Sequence, residues 1–489
     1  MKNIYGLDTR SIAVFRIALS CFIALEFALR VLGNFAEVYS PETGMLGNCF
    51  AEGFTEYYKG ASHIFSIRSD YAMKAFVCSI IAAMGLLAIG VYPRLMAFTG
   101  SVLLSLFFNR YPLLYFGWEM YASVMLFWLV LLPSRSLLLG KGVGAEAKNP
   151  LVFALLFQIG IIYFYNGISK NGELWMSGNA VESFISDAGK SRAAAAWLLQ
   201  KPLLTTVLTY FTLLVEVGIM VLLFLPFQNK KLRYAVCFLI FSLHWGIDIF
   251  VDVGNFKYVA TAVSLLLLPG DVWDIIQKKI TVPLWLKKRK LPQYFNRSGL
   301  QIPTNIEKVL AVAVCLFILF TNLSQTASSM TNDRVKQVVE ALHLHKFFAK
   351  MNHNALPQYS FFTQYWHLYS PDPPRETGWM QVEFVTENND TLAVLNGKQQ
   401  TEDQNYSAPQ RNLFSYLLLK KGRNQKDKIA EKCLLLREIK LWNKTQKVKI
   451  QSAQLVIYSR IYEPEKWKNK PLPGFSRITY KAIDINYKR

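Results

Sequence analysis

Long apolar runs separated by short polar loops fill the chain up to about residue 326. An α-helix needs about 20 such residues to cross the hydrocarbon core of a bilayer. The pattern predicts nine membrane-spanning helices, over residues 11–33, 72–91, 94–109, 112–133, 150–168, 203–226, 233–251, 255–270 and 308–326. The spans at 94–109 and 255–270 are short, so we expect either a partial crossing or an unusual tilt there.

Basic residues occur in every second loop, which predicts the orientation of the bundle because cytoplasmic loops carry an excess of Lys and Arg. The loops in question hold Lys2, Arg10, Arg94, Arg135, Lys141, Lys148, Lys230, Lys231, Arg233, Lys278, Lys279, Lys287, Lys288, Arg289 and Lys290. The loop 34–71 is acidic on balance and falls on the other side. We therefore expect a cytoplasmic N-terminus and an exoplasmic C-terminal tail, which is periplasmic if the source is Gram-negative.

A second region begins near residue 327, where apolar runs shorten and charge rises. Its patterns predict an amphipathic helix at 333–350, a hairpin of strands 377–387 and 391–395, helices at 413–421 and 429–444, and a strand at 448–462. The predicted fold is thus an all-α polytopic bundle over residues 1–326, followed by a small exoplasmic α+β domain over 327–489. Within the bundle, 271–307 reads as a basic cytoplasmic connector. A plain topological role for it is favoured over contact with anionic lipid.

Composition supports the membrane class. The chain has 489 residues, of which 52% are hydrophobic and only 18% charged, whereas soluble proteins carry about 25% charged residues. A net charge of +21 could indicate nucleic acid, but the excess lies in loops and the tail. The lipid bilayer, and not nucleic acid, is therefore the expected partner. The six cysteines are scattered, and their spacing predicts neither a metal site nor a disulfide framework.

Charged residues occur inside several predicted spans, where they are costly and usually face the bundle interior. Glu26 and Arg30 are four residues apart and can pair on one helical face. His244, Asp248 and Asp252 share the same spacing and form one stripe. Such a stripe is either a functional site or a polar seam between helices. His plus Asp four residues apart lacks a third ligand, so no metal site is predicted.

One lysine follows an aromatic helix end. The stretch Tyr163-Phe-Tyr-Asn-Gly-Ile-Ser-Lys170 precedes a Trp175-x-x-Gly178 turn. Aromatic residues suit the membrane–water interface. Lys170 is there either a snorkelling anchor that reaches for water or a functional amine.

These residues carry a resemblance to a known family. Besides Tyr163–Lys170 and Trp175-x-x-Gly178, the matching residues are Phe15-Arg16-Ile17, Tyr39-Ser-Pro-Glu-Thr-Gly-Met-Leu46, Glu216, Gly254-Asn-Phe256, Gln364-Tyr-Trp-His-Leu-Tyr-Ser-Pro371 and Gly378-Trp379. The chain resembles the HTTM (horizontally transferred transmembrane) family, which is related to vitamin K-dependent γ-glutamyl carboxylase, over about residues 10–390.

The resemblance implies a chemistry. In the carboxylase branch, the lysine at the position of Lys170 is the base that deprotonates reduced vitamin K, so a quinone-like cofactor is implied. One departure stands out: the carboxylases have a catalytic histidine near the start of the fourth span, where this chain reads Tyr115-Phe-Gly-Trp-Glu-Met-Tyr121. Many bacterial members of the family act outside carboxylation, and one takes part in maturing a secreted toxin peptide.

Two functions are predicted from these observations. The first is a membrane enzyme that modifies a secreted peptide or uses a quinone-like cofactor; the second is a non-enzymatic membrane factor that matures or escorts a secreted peptide or protein. The predicted catalytic residues are Lys170, His244 and Asp248. The predicted substrate-binding residues are Glu119, Trp175, Glu216 and Asp252.

Overall fold

The computed structural model describes residues 6–57, 63–115, 117–132, 146–147, 150–186, 190–225, 230–279, 304–329, 366, 368–400, 407, 409–411, 413–414, 417, 425–446, 448–462 and 476–484. The predicted helices 333–350 and 413–421 lie wholly or largely outside these ranges.

Helices dominate the N-terminal two thirds. In chain order they are α1 (Thr9–Leu25), α2 (Asn48–Tyr57), α3 (Asp70–Ile89), α4 (Pro93–Arg110), α5 (Gly117–Leu131), α6 (Pro150–Ile168), α7 (Glu173–Met176), α8 (Ala180–Ile185), α9 (Ala193–Leu199), α10 (Pro202–Phe224), α11 (Lys230–Phe250), α12 (Phe256–Leu267), α13 (Gly270–Lys279), α14 (Thr304–Ser329) and α15 (Gln425–Thr445). The strands are β1 (Leu7–Asp8), β2 (Glu146–Ala147), β3 (Glu376–Thr386), β4 (Thr391–Leu395), β5 (Lys398–Gln399), β6 (Ile450–Ile461) and β7 (Ser476–Asp484). Two π-helical turns, Glu26–Val31 and Phe35–Tyr39, follow α1.

Each of the nine predicted spans coincides with a helix, but the helices differ in their ability to cross a membrane. Within the described residues, six are long and apolar enough by length and composition: α1 with its π-helical extension, α3, α6, α10, α11 and α14. The pair α12 and α13 would make a seventh, with a bend of 91° between its two helices. The apolar α5 is shorter, at 15 residues. The structure thus confirms a mostly helical membrane bundle, while the count of nine crossings stays a prediction.

Local sequence explains where several helices begin and end. The Ser69 hydroxyl accepts a hydrogen bond from the Ala72 N–H and caps the start of α3. Gly90 ends that helix with φ +84°, a left-handed conformation that glycine adopts without strain. Pro93 and Pro202 open α4 and α10 at positions where no intrahelical N–H is needed.

The C-terminal region contains a five-stranded antiparallel sheet in the order β5-β4-β3-β6-β7. The predicted hairpin is confirmed as β3 and β4, and the predicted strand at 448–462 is confirmed as β6. Met380, Val382 and Phe384 are buried at alternate positions of β3. Phe384 meets the Trp442 ring of α15 edge to face, so this side of the sheet packs on the helix predicted at 429–444.

The cysteine spacing predicted no disulfide framework, and this prediction is wrong because a disulfide is present. Cys49 in α2 and Cys433 in α15 form a disulfide with a Cα–Cα distance of 5.7 Å. The two cysteines are 384 residues apart, so spacing along the chain carried no signal for their pairing. The bond ties the first long loop to the C-terminal domain. The Arg437 Nε beside it donates to the Thr43 carbonyl at 2.5 Å.

Candidate functional site

Lys170 lies two residues past the end of α6, yet its side chain is buried. Only 4% of Lys170 and 4% of Glu216 are exposed. The Lys170 ammonium donates to both carboxylate oxygens of Glu216, on α10. A buried ion pair is stable only while each charge keeps its partner, because the desolvation cost of a single buried charge is high. Lys170 and Glu216 therefore act as one coupled unit.

Two glycines on α6 allow α10 to approach closely enough for this pair. A Cβ at Gly167 would lie 2.9 Å from Val217 Cγ2 and 3.1 Å from Glu216 Cβ. A Cβ at Gly160, seven residues earlier, would lie 2.3 Å from Met220 Sδ. Small residues at a membrane helix interface let the backbones approach in this way. The packing of α6 against α10 thus places Glu216 next to Lys170.

Asn166 and Trp175 complete the surroundings of the pair. The Asn166 amide donates to Glu216 Oε1 at 2.6 Å, which fixes the carboxylate from the α6 side. The Lys170 Nζ lies 5.0 Å from the centre of the Trp175 ring, a cation–π contact. Trp175, Lys170 and Glu216 were all predicted as site residues, and the structure brings them together. Asn166 was not predicted, although it lies inside the motif that precedes Lys170.

A short segment of the C-terminal region covers this cluster. We call residues 368–372 the strap. The Leu368 N–H donates to Asn166 Oδ1 at 2.9 Å, and the Ser370 hydroxyl donates to the Ser169 carbonyl at 2.5 Å. The strap carbonyls of Tyr369 and Pro371 accept hydrogen bonds from Trp175 Nε1 and the Gly172 N–H. Lys170 is therefore enclosed by its own turn and the strap, and does not lie open at a helix end.

Asp372 fastens the end of the strap to the turn. Its Oδ1 accepts the Leu174 N–H at 2.9 Å and the Trp175 N–H at 3.4 Å, at the start of α7. A Cβ at Gly172 would lie 2.3 Å from Asp372 Cγ, so only glycine allows this approach.

We expect Asp372→Ala to weaken this contact by about 1 kcal/mol, the usual cost of losing a side-chain cap. Hydrogen exchange at the amides of residues 172–176 should then speed up about fivefold. Glu387→Ala, which removes an exposed charge from the turn between β3 and β4, is the control. Unchanged exchange in the Asp372 variant would show that the strap is held without this carboxylate.

His244 lies beside the Lys170 cluster and is surrounded by aromatic rings. Its Nε2 is 3.1 Å from the Tyr163 hydroxyl, and its ring stacks on Phe256 at a centroid distance of 4.8 Å. Tyr121 packs against Phe256 on one side and against Trp366, which has no exposed surface, on another. The side chains around His244 thus form an aromatic wall that joins α5, α6, α11 and α12.

His244 and Asp248, predicted to lie on one stripe, have different partners in the structure. Asp248 instead accepts from Arg192 at 2.9 Å and from Lys257 at 2.5 Å. Asp252 lies farther out, 3.8 Å from Arg192 and 3.4 Å from Arg411. The two aspartates therefore belong to a network of basic residues at the end of α11. Spacing on one helix predicted a shared stripe but could not reveal partners contributed by other elements.

Four consecutive residues connect these groups. Gly254 turns the chain with φ +78°. The Asn255 amide donates to Glu26 Oε2 at 2.7 Å, Phe256 stacks on His244, and Lys257 binds Asp248. The turn 254–257 thus contacts three separate clusters of the bundle.

Glu119 is not part of the Lys170 cluster. It is fully buried and lies 3.4 Å from Arg30, which also pairs with Glu26 as predicted. The Arg30 guanidinium lies 5.0 Å from the centre of the Trp118 ring. Glu26 and Arg30 lie in the first π-helical turn, a local widening that often occurs at functional sites.

The apolar helices, with buried ionic clusters between them, define an integral membrane protein. Within it, residues 144–273 match the family model described as the HTTM domain, so the resemblance predicted from the sequence is confirmed over that region. The matched region contains Lys170, Glu216, His244 and the turn 254–257. Comparison with curated proteins and with solved structures gives no significant match. The wider resemblance over residues 10–390 stays a prediction.

Proposed function

We propose that the protein is a membrane enzyme in which Lys170 accepts a proton from the substrate or from a cofactor. The observation that carries this proposal is the burial of Lys170 against Glu216. An anchoring lysine reaches for water and is exposed. A lysine that is 4% exposed and held against a carboxylate is instead suited to proton exchange.

The pair provides a route to the neutral amine that a base requires. In a site of low dielectric, burial disfavours both charged partners, so transfer of the proton from Lys170 to Glu216 costs far less than in water. Lys170 then has a free lone pair and can take a proton at its Nζ. The Asn166 amide holds Glu216 in place during this exchange.

A quinone-type cofactor, which the resemblance implies, is compatible with the residues nearby. The rings of Tyr121, Tyr163, Phe256 and Trp366 pack against one another and against His244, and so form a largely apolar aromatic surrounding. The Tyr163 hydroxyl and the His244 imidazole could hydrogen-bond to ring oxygens. When bound, such a group would supply redox chemistry that amino-acid side chains lack. The chain's own contribution is to position that group and to handle its proton at Lys170.

The site is proposed to open to the exoplasmic side, which makes a secreted peptide or protein an accessible substrate. The Cys49–Cys433 disulfide supports this orientation in two ways. It requires the loop 34–71 and the C-terminal domain to lie on the same side, as the loop charges predict. Disulfides also persist in oxidising compartments and are rare in the cytosol.

Reporter fusions test the proposed topology. A cytoplasmic reporter should be active after residue 290, because the positive-inside pattern predicts that side. An exoplasmic reporter should be active at residue 489, because the disulfide favours an oxidising compartment for the C-terminal domain. Paired alkaline phosphatase and green fluorescent protein fusions measure this directly. If both positions report the same compartment, the nine-span arrangement is wrong.

The most informative test of the activity is mass spectrometry of secreted peptides encoded beside this gene, in cells with and without the protein. An enzyme that modifies a peptide should produce a covalent mass change only when it is present. If secretion changes but every peptide mass stays the same, the protein is an escort factor and the enzyme proposal fails.

A further inference from the structure

The helix α13 turns away from the bundle at the end opposite the Lys170 site. It leaves α12 at an angle of 91°. The buried Arg10 at the start of α1 holds it, since its guanidinium donates to the Gly270 carbonyl at 2.9 Å, to Asp274 at 2.7 Å and to Gln277 at 3.2 Å. If α12 is perpendicular to the bilayer plane, α13 lies along the surface of the bilayer, at the level where α1 begins.

The residues of α13 differ in burial. The side toward α1 carries Trp273, which is buried and whose Nε1 donates to the Ser11 hydroxyl at 2.7 Å. Ile275 and Ile276 lie outside this contact, with 55% and 36% of their surface exposed. A helix that lies in the plane of the membrane interface usually places such apolar side chains, exposed on the protein surface, at the boundary between headgroups and acyl chains.

Exposed lysines lie near Ile275 and Ile276. Lys278 and Lys279 end α13, and Lys230 and Lys231 begin the neighbouring α11. Lys230 Nζ lies 3.5 Å from Asp271 on α13, so the start of α11 lies against the first turn of α13. We call Ile275, Ile276 and these four lysines the interfacial surface.

We propose that the interfacial surface binds anionic phospholipids. The isoleucines insert between acyl chains at the headgroup boundary, and the lysines contact the phosphate groups. The charge pattern favours this occupant, because exposed lysines beside exposed isoleucines match an anionic headgroup with its acyl chains. The inference does not depend on the role of Lys170.

Lipid retention in nanodiscs tests the charge requirement. The full-length protein is placed in nanodiscs of equal parts phosphatidylglycerol and phosphatidylcholine, and the lipids that stay bound on release are counted by native mass spectrometry. K278Q/K279Q should lower the ratio of retained phosphatidylglycerol to phosphatidylcholine roughly tenfold. K432Q/K440Q, which removes two exposed lysines from α15 in the C-terminal domain, is the control and should keep the ratio. Equal ratios in all three proteins would overturn the proposal.

Photocrosslinking tests the apolar contact on the same surface. With p-benzoylphenylalanine at Ile276, illumination in these nanodiscs should add the mass of one phospholipid to the protein. Crosslinking to a second copy of the chain would show that the surface is a protein interface, and the proposal would fall. Absence of any lipid adduct, at normal melting temperature, would contradict it as well.

Discussion

Replacing Lys170 with methionine is expected to destabilise the protein by about 3–5 kcal/mol. The reason is that Glu216 would lose its counterion. Glu216 is 4% exposed, and without Lys170 its carboxylate would be a buried charge with no counterion beside it. The Asn166 amide alone does not neutralise a charge. The free energy of unfolding in detergent, measured by denaturant titration, gives the size of the loss.

The double variant Lys170→Met/Glu216→Met separates the pair from the rest of the fold. Two methionines restore an apolar contact between α6 and α10, and replacing a buried ion pair by packed apolar residues is often neutral. We therefore expect the double variant to regain most of the stability lost in the single one. Surface substitutions usually change the free energy of unfolding by no more than about 0.5 kcal/mol. A Lys170→Met variant that also stays within this range would mean that Lys170 and Glu216 are not coupled.

Loss of the interdomain disulfide is the second large effect. Cys433→Ser should cost about 2–5 kcal/mol, because the bond closes a very long loop in the unfolded chain. Cys49→Ser should lower the free energy of unfolding by the same amount. The double variant should lower it no further than either single variant, since all three remove the same bond. Cys78→Ser, an exposed free cysteine on α3, is the control and should behave like the parent.

A protease site inserted at residue 290 gives a direct measurement of the same bond. After cleavage, the two fragments should run together on a non-reducing gel and separate when a reductant is added. Fragments of the parent that separate without reductant would contradict the pairing of Cys49 with Cys433.

The sequence predicted most of the helices because their signals are local. Apolar length marks α1, α3, α6, α10, α11 and α14, and alternation marks β3 and β6. Loop charges predicted that the loop 34–71 and the C-terminal domain lie on one side, and the Cys49–Cys433 disulfide joins these two regions. Glu26 and Arg30 were paired correctly, because their partnership depends only on the spacing within one helix.

The contacts that build the site are not local, and the sequence could not give them. Lys170 and Glu216 are 46 residues apart, and Leu368 of the strap is 202 residues from Asn166. Helical spacing predicted Asp248 on one stripe with His244, but its carboxylate is bound by Arg192 and Lys257 through charge-assisted hydrogen bonds. A signal for the α6–α10 contact was present in Gly160 and Gly167, whose spacing places them near one helical face.

The central claim is that Lys170 acts as a base, and Lys170→Arg tests it most directly. Arginine keeps a positive charge opposite Glu216 and so should preserve expression and melting temperature. Its guanidinium does not release a proton near neutral pH, so it cannot serve as a base. Mass spectrometry of the secreted peptides should then show the product of the parent protein reduced by at least about 100-fold. A normally expressed Lys170→Arg protein that forms the full amount of product would contradict the account.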